Sequence, residues 1–278
     1  MLSKFKKNIS HSCIETFENC PRAWYFRYIE RLYPEVEDDG SSNFGSLVHD
    51  IAENFEGKSI KELFNCCKER LKFFNELNDE YKPKFKPTIL NFFDYYKNNL
   101  YGIKKRHIRK EIKLFVENFI DEFNLTGLID LLIVKNKVII IADYKTNKKV
   151  KDHTKQLSFY FLMLKLNDTI KKDNMECEII YLCLGDDAEM KIEKYILTEK
   201  DIDDAITRIE IFIDKISKLG DEKENYRLKV GPLCDYCDYK KSKDCPAKNE
   251  SNNLLENKMK KIIMNKKKRK GICHGVQS

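Results

Sequence analysis

The spacing of apolar residues changes about one third of the way along the chain, and that change divides the elements the sequence predicts. Val48, Ile51, Ala52 and Phe55 recur at helical spacing, so Gly45 to Phe55 is expected to be an amphipathic helix. Similar faces predict helices over Ile60 to Leu77 and Thr88 to Leu100. Upstream, Ser12 and Glu15 have capping-box spacing and open an aromatic-rich segment that runs to Ile29. Pro21 interrupts it, so either two helices or one kinked helix is expected.

Beyond residue 110 the period falls to two. Ile112, Leu114 and Val116 alternate with Glu111, Lys113, Phe115 and Glu117, the pattern of a half-buried strand. Leu125 to Val134 and Val138 to Tyr144 are denser in apolar residues, as strands covered on both faces are. With Lys135-Asn136 as a two-residue turn they form a central hairpin, in which paired positions sum to 271. A helix over Thr154 to Leu166, strands near Glu178 to Leu184 and Lys191 to Leu197, and a long helix over Thr198 to Leu219 follow. The order predicts an α/β fold, a mixed central sheet flanked by helices. Residues 1 to 250 are read as one domain and 251 to 278 as a basic tail, with no internal repeat.

Composition narrows the class. The 278 residues are 42% hydrophobic and 35% charged with ten glycines and six prolines, which excludes collagen-like, linker-like and wholly disordered chains. No apolar run approaches the roughly 18 residues of a membrane span. Lys4, Lys6 and Lys7 near the N-terminus precede no apolar stretch, so no secretory signal is expected and the location is read as cytoplasmic, host cytoplasm for a viral source. Ten cysteines in such a chain fit reduced thiols or metal ligands better than a disulfide scaffold. The net charge of +7 is carried by the tail: Lys258 to Lys270 holds eight basic residues and no acid, which leaves −1 for the rest. Nucleic-acid binding by the body must therefore come from local patches.

One such site is visible on the hairpin. In the expected register Asp130 lies opposite Ile141, on the same face as Asp143 and Lys145. Two close carboxylates repel unless a cation lies between them, and hard oxygen ligands suit Mg²⁺ or Mn²⁺. A neighbouring lysine can orient or deprotonate a water and offset developing phosphate charge, so the trio is equipped for metal-assisted phosphodiester hydrolysis. With 45 acids and 52 bases, an acid-x-base triplet arises roughly eight times by chance, so Asp143-Tyr144-Lys145 carries weight only because it ends an apolar strand beside an acid buried in another. The alternative is a salt bridge between Asp130 and a lysine. Lys104, Lys105, Arg106, Arg109, Lys110 and Lys113 precede these strands, and Lys148, Lys149, Lys151 and Lys155 follow, as a phosphate backbone would need.

These residues resemble the RecB-like PD-(D/E)XK nucleases, in particular the iron-sulfur branch that includes CRISPR-associated RecB-like exonucleases and the nuclease domain of AddB. Ser12 through Cys20-Pro21-Arg22-Ala23-Trp24-Tyr25-Phe26, Gly45-Ser46-Leu47-Val48-His49, Gly127-Leu128-Ile129-Asp130, Asp143-Tyr144-Lys145 and Gln156-Leu157-Ser158-Phe159-Tyr160 are similar to that family's motifs, in order. The resemblance implies that His49, Asp130 and Asp143 ligate the catalytic metal, with the Tyr144 carbonyl as a further ligand and Lys145 as the catalytic lysine. Gln156 and Tyr160, at i and i+4, would face the site. Glu111 stands where relatives often carry an acid, with Glu117 as its rival. Cys20, Cys234, Cys237 and Cys245 would hold a 4Fe-4S cluster, or alternatively a structural Zn²⁺, as an iron-sulfur staple joining the two ends. Cys13, Cys66, Cys67, Cys177, Cys183 and Cys273 are read as buried small hydrophobes or incidental thiols.

The implied activity is an exonuclease on single-stranded DNA ends in recombination, repair or spacer processing. An endonuclease or flap nuclease on the same core, and a catalytically silent DNA-binding subunit of a helicase-nuclease, are the alternatives. The partners implied are DNA and a separate helicase or a recombination or CRISPR-adaptation subunit, since the chain has no G-x-x-x-x-G-K-[ST] motif of its own.

Overall fold

The computed structural model describes residues 2–33, 40–74, 76–135, 138–146, 149–168, 174–241, 245 and 247. They sort into two compact units, one drawn from Lys6–Ile14 and Glu37–Lys218, the other from Met1–Phe5, Glu15–Val36 and the chain from Leu219 onward. The basic run Lys258 to Lys270 and Cys273 lie outside the described residues.

The chain opens with a short strand β1 (Asn8–Ile9) and helix α1 (His11–Asn19). Ser10, not Ser12, caps α1: its Oγ accepts the Cys13 amide at 3.1 Å. Pro21 starts a second helix, α2 (Pro21–Tyr25), where its missing N–H costs no bond, and a π-helical turn (Phe26–Glu30) extends it. Helices α3 (Ser41–Asn54), α4 (Ile60–Arg70) and α5 (Lys82–Tyr95) follow, the last continued by a π turn (Tyr96–Leu100). Helix α4 stops short of the expected Leu77 in a 3-10 turn at Leu71–Phe73. Helix α5 starts before the expected Thr88, because Pro83 occupies its first turn and Pro87 is accommodated one turn later.

The sheet is built from β2 (Ile108–Ile120), β3 (Phe123–Lys135), β4 (Val138–Lys145), β5 (Asn174–Leu184) and β6 (Glu189–Thr198) together with β1. Helix α6 (Thr154–Leu166) connects β4 to β5 and so allows that pair to be parallel; β2/β3, β3/β4 and β5/β6 are antiparallel. The chain then runs through α7 (Glu199–Leu219) to a short α8 (Asp238–Lys241). β1, absent from the sequence expectation, runs parallel to β3 at Asn124 and Leu125, while β4 pairs only with Leu131 to Lys135. Since β2 spans both stretches from the other edge, β1 and β4 share one edge of β3 at different heights.

The hairpin register corrects the expected one. Lys135 pairs with Val138, so paired positions sum to 273 where 271 was expected. The shift is two residues rather than one, and because side chains alternate with period two it leaves Asp130 and Asp143 on a common face.

One face of the sheet carries Leu131, Ile133, Ala142, Tyr144, Ile180 and Leu182 into a core with Phe44, Leu47, Val48 and Ile51 of α3 and Ile89, Phe92 and Tyr95 of α5. Helix α6 is apolar nearly all round and buried from Leu157 through Leu164, as a helix covered on all sides must be. No helix among the described residues is long and apolar enough to cross a membrane.

Candidate active site

The site forms where β3 and β4 part. Their last paired residues are Leu131 and Ala142, and the next residues out are Asp130 and Asp143. The Tyr144 amide, freed from the ladder, donates to Asp130 Oδ2 at 2.8 Å. Asp130 therefore satisfies a backbone donor whose loss would cost roughly 1–3 kcal/mol.

Three ligating side chains converge there from three elements. His49 of α3, Glu111 of β2 and Asp130 of β3 each offer one ligand atom, all within 4.8 Å of one another, and among the described residues no other such group of three or more His, Cys, Asp or Glu occurs. His49 Nδ1 lies 3.4 Å from Asp130 Oδ2. Pairs on either side, Lys110 with Leu131 and Ile112 with Ile129, set Glu111 across from Asp130. Glu111 has a left-handed backbone, φ +47°, a conformation that costs a residue with a Cβ about 1 kcal/mol or more and is kept here beside two other ligands. Its rival Glu117 is exposed.

Electrostatics mark the group as short of positive charge. Burial pushes the Glu111 carboxyl up, and Asp130 adds to it. Asp143 is buried and pushed up to about 6, by desolvation first and then by Asp130, against the pull of Lys145. Burial lowers the His49 imidazole, but its hydrogen bond to Asp130 together with the charges of Asp130 and Asp143 more than offsets that and holds it above the ordinary histidine value.

Asp143 belongs to a second, adjoining cluster. Lys145 Nζ sits 2.5 Å from its Oδ2, an ion-pair contact on an oxygen with no hydrogen-bond partner, while Gln156 Nε2 donates to its Oδ1 at 2.9 Å. Gln156 also accepts from Lys145 Nζ at 3.3 Å and donates to Tyr160 Oη at 3.1 Å. One amide thereby holds carboxylate, ammonium and phenol in fixed relation, as the i, i+4 spacing on α6 allows. Burial, then Asp143, raises the Tyr160 phenol beyond use as an acid. The donor set of one imidazole nitrogen and several carboxylate oxygens, with a further buried carboxylate beside it, fits a hard divalent cation.

Two motif glycines let these elements approach. A Cβ on Gly127 would sit 3.0 Å from Met163 Sδ and 3.4 Å from Tyr160, both on α6, and one on Gly45 would sit 3.2 Å from Thr146 Oγ1, next to Lys145. The structure places Tyr144 with its ring buried and edge-on to His49, and its amide, as described, at Asp130.

The basic arms divide. Lys104, Arg106, Arg109 and Lys113 are exposed, whereas Lys105 pairs with Glu56 and Lys148 lies outside the described residues. Lys110 is no phosphate contact: its Nζ donates to the carbonyls of Ala52 at 2.8 Å, Glu53 at 2.9 Å and Phe55 at 2.8 Å, closing the C-terminus of α3. That role had no signal in the sequence. Nor did His153, which precedes α6, hydrogen-bonds Gln156 and is lowered by burial and by Lys145.

The four cysteines do not close into a group as tight as the His49 site. They do sense one another: burial raises Cys237 and Cys245, and Cys20 raises both further. Cys13, Cys67, Cys177 and Cys183 are buried, and Cys66 is partly so.

A model of the PD-(D/E)XK nuclease superfamily matches residues 8–242, and the chain belongs to that superfamily. Nucleic acid is thereby the implied substrate. Among solved structures, one from Eubacterium rectale named "Putative exonuclease" is 17% identical, with 87% of this chain and 91% of that one covered and a TM-score of 0.54. The crystal structure of SSO0001 is 15% identical over 88% of each chain, with a TM-score of 0.43. No match was found among curated proteins.

A pH dependence follows. An acid whose folded value lies above its unfolded one favours the protonated native state, so Asp143 withdraws stability as pH rises through about 6, and a raised His49 likewise loses its contribution as pH rises through its folded value. A divalent cation competes with those protons. The gain in Tm from millimolar Mg²⁺ or Mn²⁺ is expected to be several degrees at about pH 8 and near zero at about pH 5. Equal gains at both would remove these groups from the ligand set.

Proposed function

We propose that this chain is a metal-dependent nuclease that hydrolyses DNA phosphodiesters, as an exonuclease on single-stranded ends. The observation that supports it most is the convergence of His49, Glu111 and Asp130 beside the Asp143, Lys145 and Gln156 cluster in a chain of this superfamily. In this reading His49, Glu111, Asp130 and Asp143 hold Mg²⁺ or Mn²⁺, with the Tyr144 carbonyl as a further donor. Such an ion supplies charge neutralisation and an acidified water. Lys145, whose ammonium lies beside Asp143, would steady the negative charge that builds on the phosphate. Gln156 keeps the ammonium aimed, and Tyr160 keeps Gln156 in place.

Labelled linear single strands, duplexes and circles, incubated with either cation, test this. Shortening of linear single strands with circles intact is the expected result. Cut circles would make the enzyme an endonuclease, and binding without any cleavage would make it a silent subunit.

The iron-sulfur staple belongs to the same proposal. Backbone donors approach the sulfurs, from Gly231 to Cys234 at 3.4 Å, from Tyr239 and Lys240 to Cys237, and from Ala247 to Cys245, as they do around cluster thiolates.

The tail is proposed to add affinity without chemistry. Truncation near Asn257 is expected to weaken DNA binding and flatten its salt dependence while turnover at saturating DNA stays the same. Superimposable binding curves at two salt concentrations would remove the tail from the interface.

A further inference from the structure

A cleft of about 640 Å³ opens beside the three-ligand group, and the proposed function makes no use of it. Its floor is apolar: Phe55 and Leu100 are buried, and Ile103 and Ile108 complete it. Tyr96 and Tyr101 line it and Lys58 brings an ammonium group to it, while Lys105 is paired with Glu56 and Lys110 is held by the carbonyls that end α3. Tyr96 opens the π turn after α5 and packs on Phe55 at the end of α3 with ring centroids 5.0 Å apart, Tyr101 follows that turn, and such irregular turns recur at functional sites. Tyr101 is 46% exposed, yet its ring is ordered by Lys97, whose Nζ sits 3.6 Å from the ring centroid and which does not itself line the cleft. The ring is therefore a part-exposed aromatic surface at the cleft, held in place by a cation.

The cleft and the ligand group share a wall. Glu53 lines the cleft, lies one helical turn beyond His49 on α3, and is close enough to push the Glu111 carboxyl upward. Lys110, on the cleft side, is the chain neighbour of Glu111. A strand whose phosphate reached the ligand group would have an adjoining nucleotide within reach of the cleft.

We infer that this cleft is a nucleotide subsite, in which an unpaired base of the DNA strand stacks on Tyr101 while Lys58 meets its phosphate. The volume suits a nucleotide, and aromatic platforms interleaved with ammonium groups are how single strands are held without reading sequence. A paired base cannot turn out of its stack without an energetic cost, so the subsite favours single strands or frayed ends. The inference rests on the nuclease reading for the identity of the strand, and its test needs no cleavage.

In an Asp143→Ala background, affinity is measured for a short oligothymidylate and for its abasic counterpart, which keeps the phosphates and lacks the bases. Adding Tyr101→Ala is expected to weaken the oligothymidylate roughly tenfold and leave the abasic strand unchanged, and Tyr101→Phe to restore the loss. Unchanged abasic binding also reports that the variant is folded. Equal weakening of both strands, or no weakening of either, would overturn the subsite. Base-dependent binding through Tyr101 in a wild-type chain that cuts nothing would instead sink the nuclease reading and leave the subsite standing.

Discussion

Asp143→Ala and Lys145→Ala are each expected to lower cleavage by at least about 10²- to 10⁴-fold while DNA binding changes little. Asp143 is the better probe of the acids, because Asp130 also accepts the Tyr144 amide, so its removal would mix chemistry with folding. Lys145 touches Asp143 and Gln156 in the bonds described, and because its loss leaves the buried Asp143 without an ammonium, the Tm of Lys145→Ala is measured beside its rate. Affinity should survive both changes, since the exposed Lys104, Arg106, Arg109 and Lys113 remain. Gln156→Ala should fall between these variants and the parent: the ammonium stays but loses the amide that aims it. Wild-type rates in both Asp143→Ala and Lys145→Ala would remove the site altogether.

The parts of this site that could be read from the chain are those where local pattern decides. Helix α6 runs from Thr154 to Leu166 as expected, and Gln156 and Tyr160 share a face because an α-helix brings i and i+4 together. The common face of Asp130 and Asp143 was legible too, although the paired positions sum to 273 rather than 271: Asn136, the one turn-favouring residue there, is compatible with either register, and only the parity mattered. What was not legible depends on distant partners. β1 is two residues long and exists through its pairing with Asn124 and Leu125. Lys110 looked like one more surface base until three carbonyls of α3 surrounded it. Glu111 and Glu117 are equivalent in an alternating strand, and the left-handed backbone at Glu111 separates them.

The smaller unit carries the last prediction, that Cys20→Ser will lower stability far more than Cys273→Ser. Side chains from its two ends meet directly. Trp24 stacks on Tyr226 with centroids 5.6 Å apart, Arg22 Nε donates to the Tyr226 carbonyl at 2.7 Å, and Tyr239 Oη donates to the Leu32 carbonyl at 3.0 Å. These contacts bring Cys20 toward the C-terminal cysteines, so a metal there would find its ligands partly assembled. Losing one of four thiolates should then cost several kcal/mol, a fall in Tm on the order of 5 °C or more for a chain of this size. Protein purified without oxygen should be brown, and Cys20→Ser should bleach it, with cleavage by the larger unit's site read separately. Colourless wild-type protein with one equivalent of zinc would give the four sulfurs to zinc. An unchanged Tm and unchanged metal content in Cys20→Ser would take Cys20 out of the ligand set and leave the aromatic contacts alone to join the two ends.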